Sequence, residues 1–262
     1  MTEESSNPLI SVDRDGTVAV ITMTSQQTRN SLAAPMRDAL LDAMDALMTD
    51  TSCRAIVITG AGGVFCAGGD LKSMIGATLQ GARHRMMRGH RLVRLIAEGP
   101  KPVLTAVEGA AFGAGMSIAA MSDLCIASSE AKFGAVFGKV GLAPDWGWMW
   151  AVPMRIGMGR ARRMAMLSEI VEGEEAVQIG LADISAAPGK ALEVAVAQAQ
   201  IYAASATLAI GATKTAFCRH MGSLDEVLAF EANQQPALML SNDHIRARDA
   251  FFAKGKPVFE GN

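Results

Sequence analysis

Hydrophobic positions along the chain change their period several times. Leu9 to Val12 and Val18 to Met23 are short β-type runs separated by Asp15-Gly16, a dipeptide that favours a tight hairpin. From Ala33 to Met48 apolar residues recur at helical spacing through Met36, Leu40, Leu41, Met44 and Leu47, and Ala55 to Thr59 is a continuous apolar run of strand length. A helix over Ala82 to Ala97 leads into another such run, Val103 to Val107. The alternation continues with a helix at Gly113 to Met121, a strand at Leu124 to Ala127, helices at Ala161 to Leu167 and Glu174 to Ile179, and a strand at Ala182 to Ser185. Strands alternating with helices predict an α/β fold built on parallel βαβ units. The pattern alone does not choose between a doubly wound sheet and other parallel arrangements.

Beyond Pro188-Gly189 strand propensity disappears. Lys190 to Ala253 reads as three or four helices broken near Ser205, Gly222-Ser223 and Ser241-Asn242. Ser223 and Ser241 stand where N-caps belong, and Glu226, three residues after Ser223, completes a capping box. With 262 residues, 50% of them hydrophobic, the chain can bury a large core as one domain or as a domain with an appendage. A net charge of −2 offers no global attraction to nucleic acid or to an acidic membrane, and neither is expected as a partner. Cys53, Cys66, Cys125 and Cys218 are isolated and lack CxxC spacing, which predicts reduced thiols and neither a disulfide framework nor a zinc site. The acidic opening MTEESSNPL has no basic or apolar leader character, and the longest apolar stretches, such as Ala110 to Met121, fall short of the ~20 residues a membrane span requires. A cytoplasmic location is the expectation.

Two glycine-bearing segments carry the candidate chemistry. Phe65 to Met74 reads FCAGGDLKSM after the strand at Ala55 to Thr59, and Val107 to Ser128 reads VEGAAFGAGMSIAAMSDLCIAS after the strand at Val103 to Val107. Glycines in the first let the backbone turn sharply and expose amide N–H groups. In the second, Phe112-Gly113-Ala114-Gly115 opens a helix, whose first N–H groups are unpaired and whose dipole favours negative charge there. Two such donors aimed at one oxygen would stabilise an enolate or a tetrahedral oxyanion.

The same segments resemble the enoyl-CoA hydratase/isomerase superfamily, the crotonases. TRNSLAAPMRDALLDAMDAL, KFGAVFGKVGLAPD, LAIGATKTAF and FFAKGKPVFEG extend the likeness in order and spacing from about Ile10 to Gly261. It implies a crotonase-like spiral of ββα units over residues 1–195 that holds an acyl-CoA site, followed by a C-terminal α-helical oligomerisation region over 196–262. A homotrimer or dimer of trimers, an acyl-CoA thioester as substrate with CoA as part of it, and no metal or redox cofactor are further implications. Carried over residue by residue, the oxyanion donors are the amides of Gly69 and Ala114. Ala67, Asp70, Leu71, Lys72, Phe112, Gly113, Phe137 and Trp146 are implied to bind substrate. Asp70 and Asp123 also read as turn stabilisers, and Lys72, Lys254 and Lys256 as contacts for the CoA nucleotide or ordinary surface lysines.

At the two positions where hydratases of the family hold glutamates, this chain has Ser117 and Phe137. Neither holds a charge at neutral pH, so two-carboxylate hydration lacks its equipment. Asp145, in GLAPDWGWMW, is what remains. As a base partly desolvated by its apolar neighbours it would serve a double-bond isomerisation, which needs one carboxylate; as the residue after Pro144 it would also suit a helix N-cap. Hydration with other water-positioning groups, an aryl-CoA dehalogenase or thioesterase using His84 or His90, and a non-catalytic or RNA-binding crotonase-like protein are the alternatives. Trp146, Trp148 and Trp150 form either a core wall or an aromatic acyl pocket. Arg83, Arg85, Arg88, Arg91 and Arg94 drift around their helix without making a stripe, which predicts solvated charge or intersubunit pairing rather than a nucleic-acid surface.

Overall fold

The computed structural model describes residues 9–219 and 222–262, so residues 1–8 of the opening segment read for a leader lie outside it. The elements run β1 (Ile10–Asp15), β2 (Val18–Met23), α1 (Ala34–Thr49), β3 (Ala55–Gly60), α2 (Leu79–Glu98), β4 (Val103–Val107), β5 (Ala110–Phe112), α3 (Ala114–Met121), β6 (Leu124–Ser128) and β7 (Lys132–Gly134). There follow α4 (Trp148–Ile156), α5 (Met158–Leu167), β8 (Ile170–Glu172), α6 (Gly173–Gln178), β9 (Ile184–Ala186), α7 (Ala191–Ala203), α8 (Thr207–Arg219), α9 (Leu224–Met239) and α10 (Asn242–Phe252).

Six strands form one sheet in the order β1-β2-β3-β4-β6-β9, antiparallel only at the β1–β2 hairpin and parallel elsewhere. Its central strands are buried on both faces, as parallel strands covered by helices must be. The side-chain period of two sorts them. Val18, Val20, Ala55, Val57, Leu104 and Ala106 pack on one side with Ala191, Ala195, Ala199 and Ala203 of α7. Ala19, Ile21, Ile56, Ile58, Val103 and Val107 face the larger core, which includes the buried stripe of α1. Alanine at every fourth residue gives α7 a smooth face that lies close on the sheet. The boundary drawn between 195 and 196 falls inside this helix, so α7 belongs to the core and the tail proper starts at α8.

A second, three-stranded sheet, β5-β7-β8, escapes the sequence pattern because its strands are three residues long, and β5 lies at the front of the apolar stretch that leads into the helix read from Gly113. Helix α2 starts three residues earlier than its apolar period suggests, since Thr78 caps it by accepting from the Gly81 amide at 3.1 Å. In the tail, Ser223 and Ser241 cap α9 and α10. The Glu226 carboxylate reaches back to the Gly222 amide at 2.7 Å, one residue before the cap itself.

Tail and core are joined by charge. Buried Lys214 of α8 donates to Asp123 at 2.6 Å and to the Lys101 carbonyl at 2.9 Å, and Asp123 also takes the Val103 amide at 2.7 Å. Arg54 holds the carbonyls of Ser205 and Phe259. All four cysteines are free; burial pushes the Cys66 thiol up to about 12 and Cys125 to about 11. Among the described residues no single helix is long and apolar enough to cross a membrane. Helices α7 and α8 reach that length and composition only as a pair bent by 106°.

Candidate active site

The site is built first from main chain. Beyond β3 the segment from Cys66 pairs with β5, the Cys66 amide donating to Ala110 and the Phe112 amide to Cys66, both at 2.9 Å. Asn30, buried and in the left-handed region at φ 56°, clamps this segment through its Nδ2, which donates to the carbonyls of Ala61 at 3.0 Å and Val64 at 2.7 Å. The Ala67 amide donates to Arg29 at 3.0 Å and the Leu32 amide to the Gly68 carbonyl at 2.8 Å. Gly68 has φ +95°, and a Cβ there would lie 2.6 Å from the Phe112 carbonyl oxygen, so no other residue fits without moving backbone.

Those bonds fix two amide directions. In a planar trans peptide, N–H and C=O point opposite ways. With the Gly68 carbonyl turned to Leu32, the Gly69 N–H points away from it. With the Gly113 carbonyl accepting the Ser117 amide at 3.0 Å and the Ser117 hydroxyl at 3.2 Å, the Ala114 N–H projects from the start of α3. Neither amide donates to any acceptor among the described residues. Both line one cavity of about 130 Å³.

The cavity's other walls are side chains from distant segments: Leu32 and Arg37 of the α1 region, Leu71 and Met74, Arg85 and Met86 of α2, then Val136, Phe137, Val140, Leu142, Asp145 and Trp146. Asp145 is the one carboxylate among these residues. Its Oδ1 is buried without a hydrogen-bond partner. Burial raises its pKa from an ordinary 3.8 to about 6, against the opposing pull of Arg85 and His90.

Local structure holds Asp145 there. Its carbonyl accepts the Ser117 hydroxyl at 3.0 Å and the Trp148 amide at 3.0 Å. Trp146 follows in the left-handed region, φ 53°, and Gly147 continues it at φ 78°. A left-handed non-glycine residue costs roughly 1–2 kcal/mol. The bend is stabilised by the seat of the indole: Gly89 of α2 lies so close that a Cβ there would come within 2.9 Å of the ring. The N-cap expectation for Asp145 is overturned, because α4 is preceded by Gly147 as its cap residue and takes no side-chain cap bond.

Of the residues implied by sequence, Ala67, Gly69, Leu71, Gly113, Ala114, Phe137, Asp145 and Trp146 line the same cavity. Asp70, Lys72 and Phe112 do not. The Asp70 carboxylate takes the amides of Lys72 and Ser73, each at 3.2 Å, and so acts as the turn stabiliser it also read as. Lys72 is exposed on that turn. Phe112 lays its ring against Gly134, where a Cβ would meet it at 2.8 Å. The tryptophans divide: Trp146 walls the cavity, Trp148 is core with its Nε1 donating to the Met116 sulfur at 3.4 Å, and Trp150 is partly exposed. His84 and His90 are exposed and outside the cavity lining.

Two arginines were missed. The α2 arginines read as solvated or intersubunit charge, yet Arg88 pairs with Asp38 at 2.9 Å and Arg91 with Asp45 at 2.5 Å within the chain. Arg85 turns into the cavity, its Nη1 donating to Ser73 at 2.8 Å. Arg37 left a readable signal: it occupies the apolar stripe of α1, four residues before Leu41. A charge at a core position is costly unless something answers it.

Comparison with known proteins matches this architecture. The family model described as enoyl-CoA hydratase/isomerase covers residues 13–262. A "Probable enoyl-CoA hydratase" of Rhodobacter capsulatus is 37% identical over 246 residues, spanning 93% of this chain and 95% of that protein. The 1,2-epoxyphenylacetyl-CoA isomerase of Escherichia coli is 32% identical over 249 residues, again 93% of this chain and 95% of the relative. A crystal structure of an enoyl-CoA hydratase from Polaromonas superposes with a TM-score of 0.90 at 29% identity, covering 95% of this chain and 99% of that one. From Asp13 through the last residue of its tail, the chain belongs to the enoyl-CoA hydratase/isomerase family and has the crotonase fold.

Proposed function

We propose that this enzyme moves the double bond of an enoyl-CoA thioester, with Asp145 as the acid/base. The observation that carries the reading is the single carboxylate. Asp145 stands alone as a proton carrier among the cavity's lining residues, while the two hydratase glutamate positions hold Ser117 and Phe137. The Asp145 carboxylate takes a proton from the α-carbon of a 3-enoyl thioester and returns it to the γ-carbon. Between the two steps negative charge rests on the thioester oxygen, which the Gly69 and Ala114 amides receive. Each such donor contributes about 2.7–4 kcal/mol to a transition state when it points at the developing charge. A pKa of about 6 leaves Asp145 ionised at neutral pH yet a stronger base than an exposed carboxylate. CoA enters as part of the substrate, and the reaction needs no metal or redox cofactor.

Hydration is the second reading, favoured by the printed name of the 37% identical relative. It requires a group that orients water, at a site where this chain offers a serine tied to Asp145 and a phenylalanine. A panel of 3-enoyl-, 2-enoyl- and aryl-CoA thioesters separates the readings. We expect 3-enoyl-CoA to be isomerised by the wild type, and Asp145→Asn to lose at least a thousandfold in kcat while still binding CoA. Undiminished turnover in that variant would reject Asp145, and hydration of 2-enoyl-CoA at a comparable rate would reject the single-carboxylate argument.

For assembly we propose a trimer or dimer of trimers formed through the tail, where Phe217, Leu224, Leu240, Phe251 and Phe252 are all exposed in the single chain. Light scattering of the purified protein tests this, and a monomer would refute it.

A further inference from the structure

Double-bond isomerisation uses a pair of amides and one carboxylate, and it leaves two arginines of the same cavity without a task. Arg37 is the more informative. It is only 5% exposed, yet its buried Nε has no hydrogen-bond partner and none of its guanidinium nitrogens makes a hydrogen bond among the described residues. The nearest carboxylate, Asp38, stands 3.9 Å away and already binds Arg88 at 2.9 Å. The other charges acting on it, Arg85 and Arg88, have its own sign. Burial lowers the Arg37 pKa, Asp38 partly opposing and the two arginines adding to the fall. A guanidinium nevertheless stays protonated in proteins, with five donors to satisfy. Leaving the enclosed Nε–H of a charged group unmet is costlier than leaving a neutral group unmet.

What answers this charge must enter through the cavity. Apart from Arg85 and Asp145 the side chains lining the cavity are apolar, with Leu32, Met86, Phe137 and Trp146 among them, so a plain hydrocarbon chain would find a seat against most of the wall but not against the guanidinium. Exposed Leu71, Val140 and Leu142 mark the solvent side, whereas Arg37 is buried. The bulky phosphates of CoA suit that open side. An anion carried on the acyl chain suits the buried one, and the planar fork of Arg37 matches a carboxylate through two parallel N–H bonds.

Resting on the acyl-CoA reading above, we infer that Arg37, with Arg85 beside it, binds a carboxylate at the far end of the acyl group. The preferred substrates are then half-thioesters of dicarboxylic acids.

Calorimetry with hexanoyl-CoA, its ω-carboxy counterpart and free CoA tests this. The two saturated thioesters cannot be isomerised, so the result does not depend on the chemistry proposed for Asp145. Wild type should bind the ω-carboxy thioester at least tenfold more tightly than hexanoyl-CoA. Arg37→Met should remove most of that preference, and Arg37→Lys should retain part of it. Equal wild-type affinities for the two thioesters would overturn the inference without recourse to any variant. It would also fall if Arg37→Met weakened free CoA as much as the ω-carboxy thioester, since the anion would then be a CoA phosphate. Carboxylate selectivity in a protein that isomerises no enoyl thioester would refute the isomerase reading and leave this one standing.

Discussion

One half of the cavity is main chain and the other half is side chain, and the two are held by different means. The amide side, Gly68-Gly69 and Gly113-Ala114, is fixed by backbone hydrogen bonds from Leu32, Ala67 and Ser117 and by positive φ values at Gly68 and Gly113 that residues with a side chain rarely adopt. The facing wall, Arg37, Arg85, Phe137, Asp145 and Trp146, comes from α1, α2 and the loop before α4, and its geometry depends on packing between them. The amides can serve any thioester, because every thioester presents the same oxygen. In the reaction proposed above, the wall would decide which proton moves and which acyl group fits. Of the two positions where hydratases of the family hold glutamates, Ser117 supports the amide half and Phe137 stands on the wall.

The largest expected effect attacks the main-chain half. Gly68→Ala places a Cβ at 2.6 Å from the Phe112 oxygen and forces a φ of +95° on alanine, which must turn the next peptide. Misdirecting the Gly69 amide should lower kcat by about 10²–10³-fold, with KM changing far less. A loss confined to KM would show that this amide does not meet the transition state. Gly89→Ala disturbs the wall instead, pressing on the Trp146 ring at 2.9 Å and through it on Asp145. A fall of about tenfold in kcat with a stability loss of about 1–3 kcal/mol is expected from overpacking of this kind, read from steady-state kinetics and urea unfolding.

A third test concerns the charge of the wall. Because the folded-state pKa of Asp145, about 6, exceeds its ordinary value of 3.8, the folded protein favours the protonated acid. The stability this provides is present below pH 4 and is lost as pH rises to about 6. Asp145→Asn should therefore match the wild type in unfolding free energy below pH 4 and exceed it above pH 6, by an amount on the order of 1–3 kcal/mol, read from urea unfolding across that range. A constant difference across that range would mean that burial does not govern this group. The activity of the wild type should rise through the same interval as the base ionises. Smallest is Ser117→Ala, which deletes the 3.0 Å bond to the Asp145 carbonyl. We expect about 1 kcal/mol of destabilisation and a kcat loss of a few fold.

Legibility in the sequence followed the same division. Glycine at the end of a strand and at the start of a helix marked the two segments locally, while the particular amides of Gly69 and Ala114 were read from the family resemblance. Asp145 was visible as the carboxylate that remains once the resemblance's two glutamate positions read serine and phenylalanine, and the competing reading as a helix cap fell because Gly147 occupies that position. Arg85 was hidden by its neighbours: five arginines on one helix look alike in sequence, and only the contacts with Asp38, Asp45 and Ser73 separate them. The alternation of β1 to β4 with α1 and α2 was plain from periodicity. Strands β5, β7 and β8 were not, because three residues carry too little period to distinguish from a turn. Helix α7 was cut in two by the boundary at 195, since its apolar stripe is alanine, which sequence cannot assign to a sheet face or to a subunit partner.

The pair formed by Lys214 and Asp123 bears on how the molecule comes apart. Peeling α8 from the core would take from the half-buried Asp123 its nearest cation and leave it the Val103 amide, and losing a hydrogen bond to a charged group of this kind costs about 1.5–3 kcal/mol. That penalty discourages a half-open state in which the tail swings free while the spiral survives, so heating should melt both in one cooperative step.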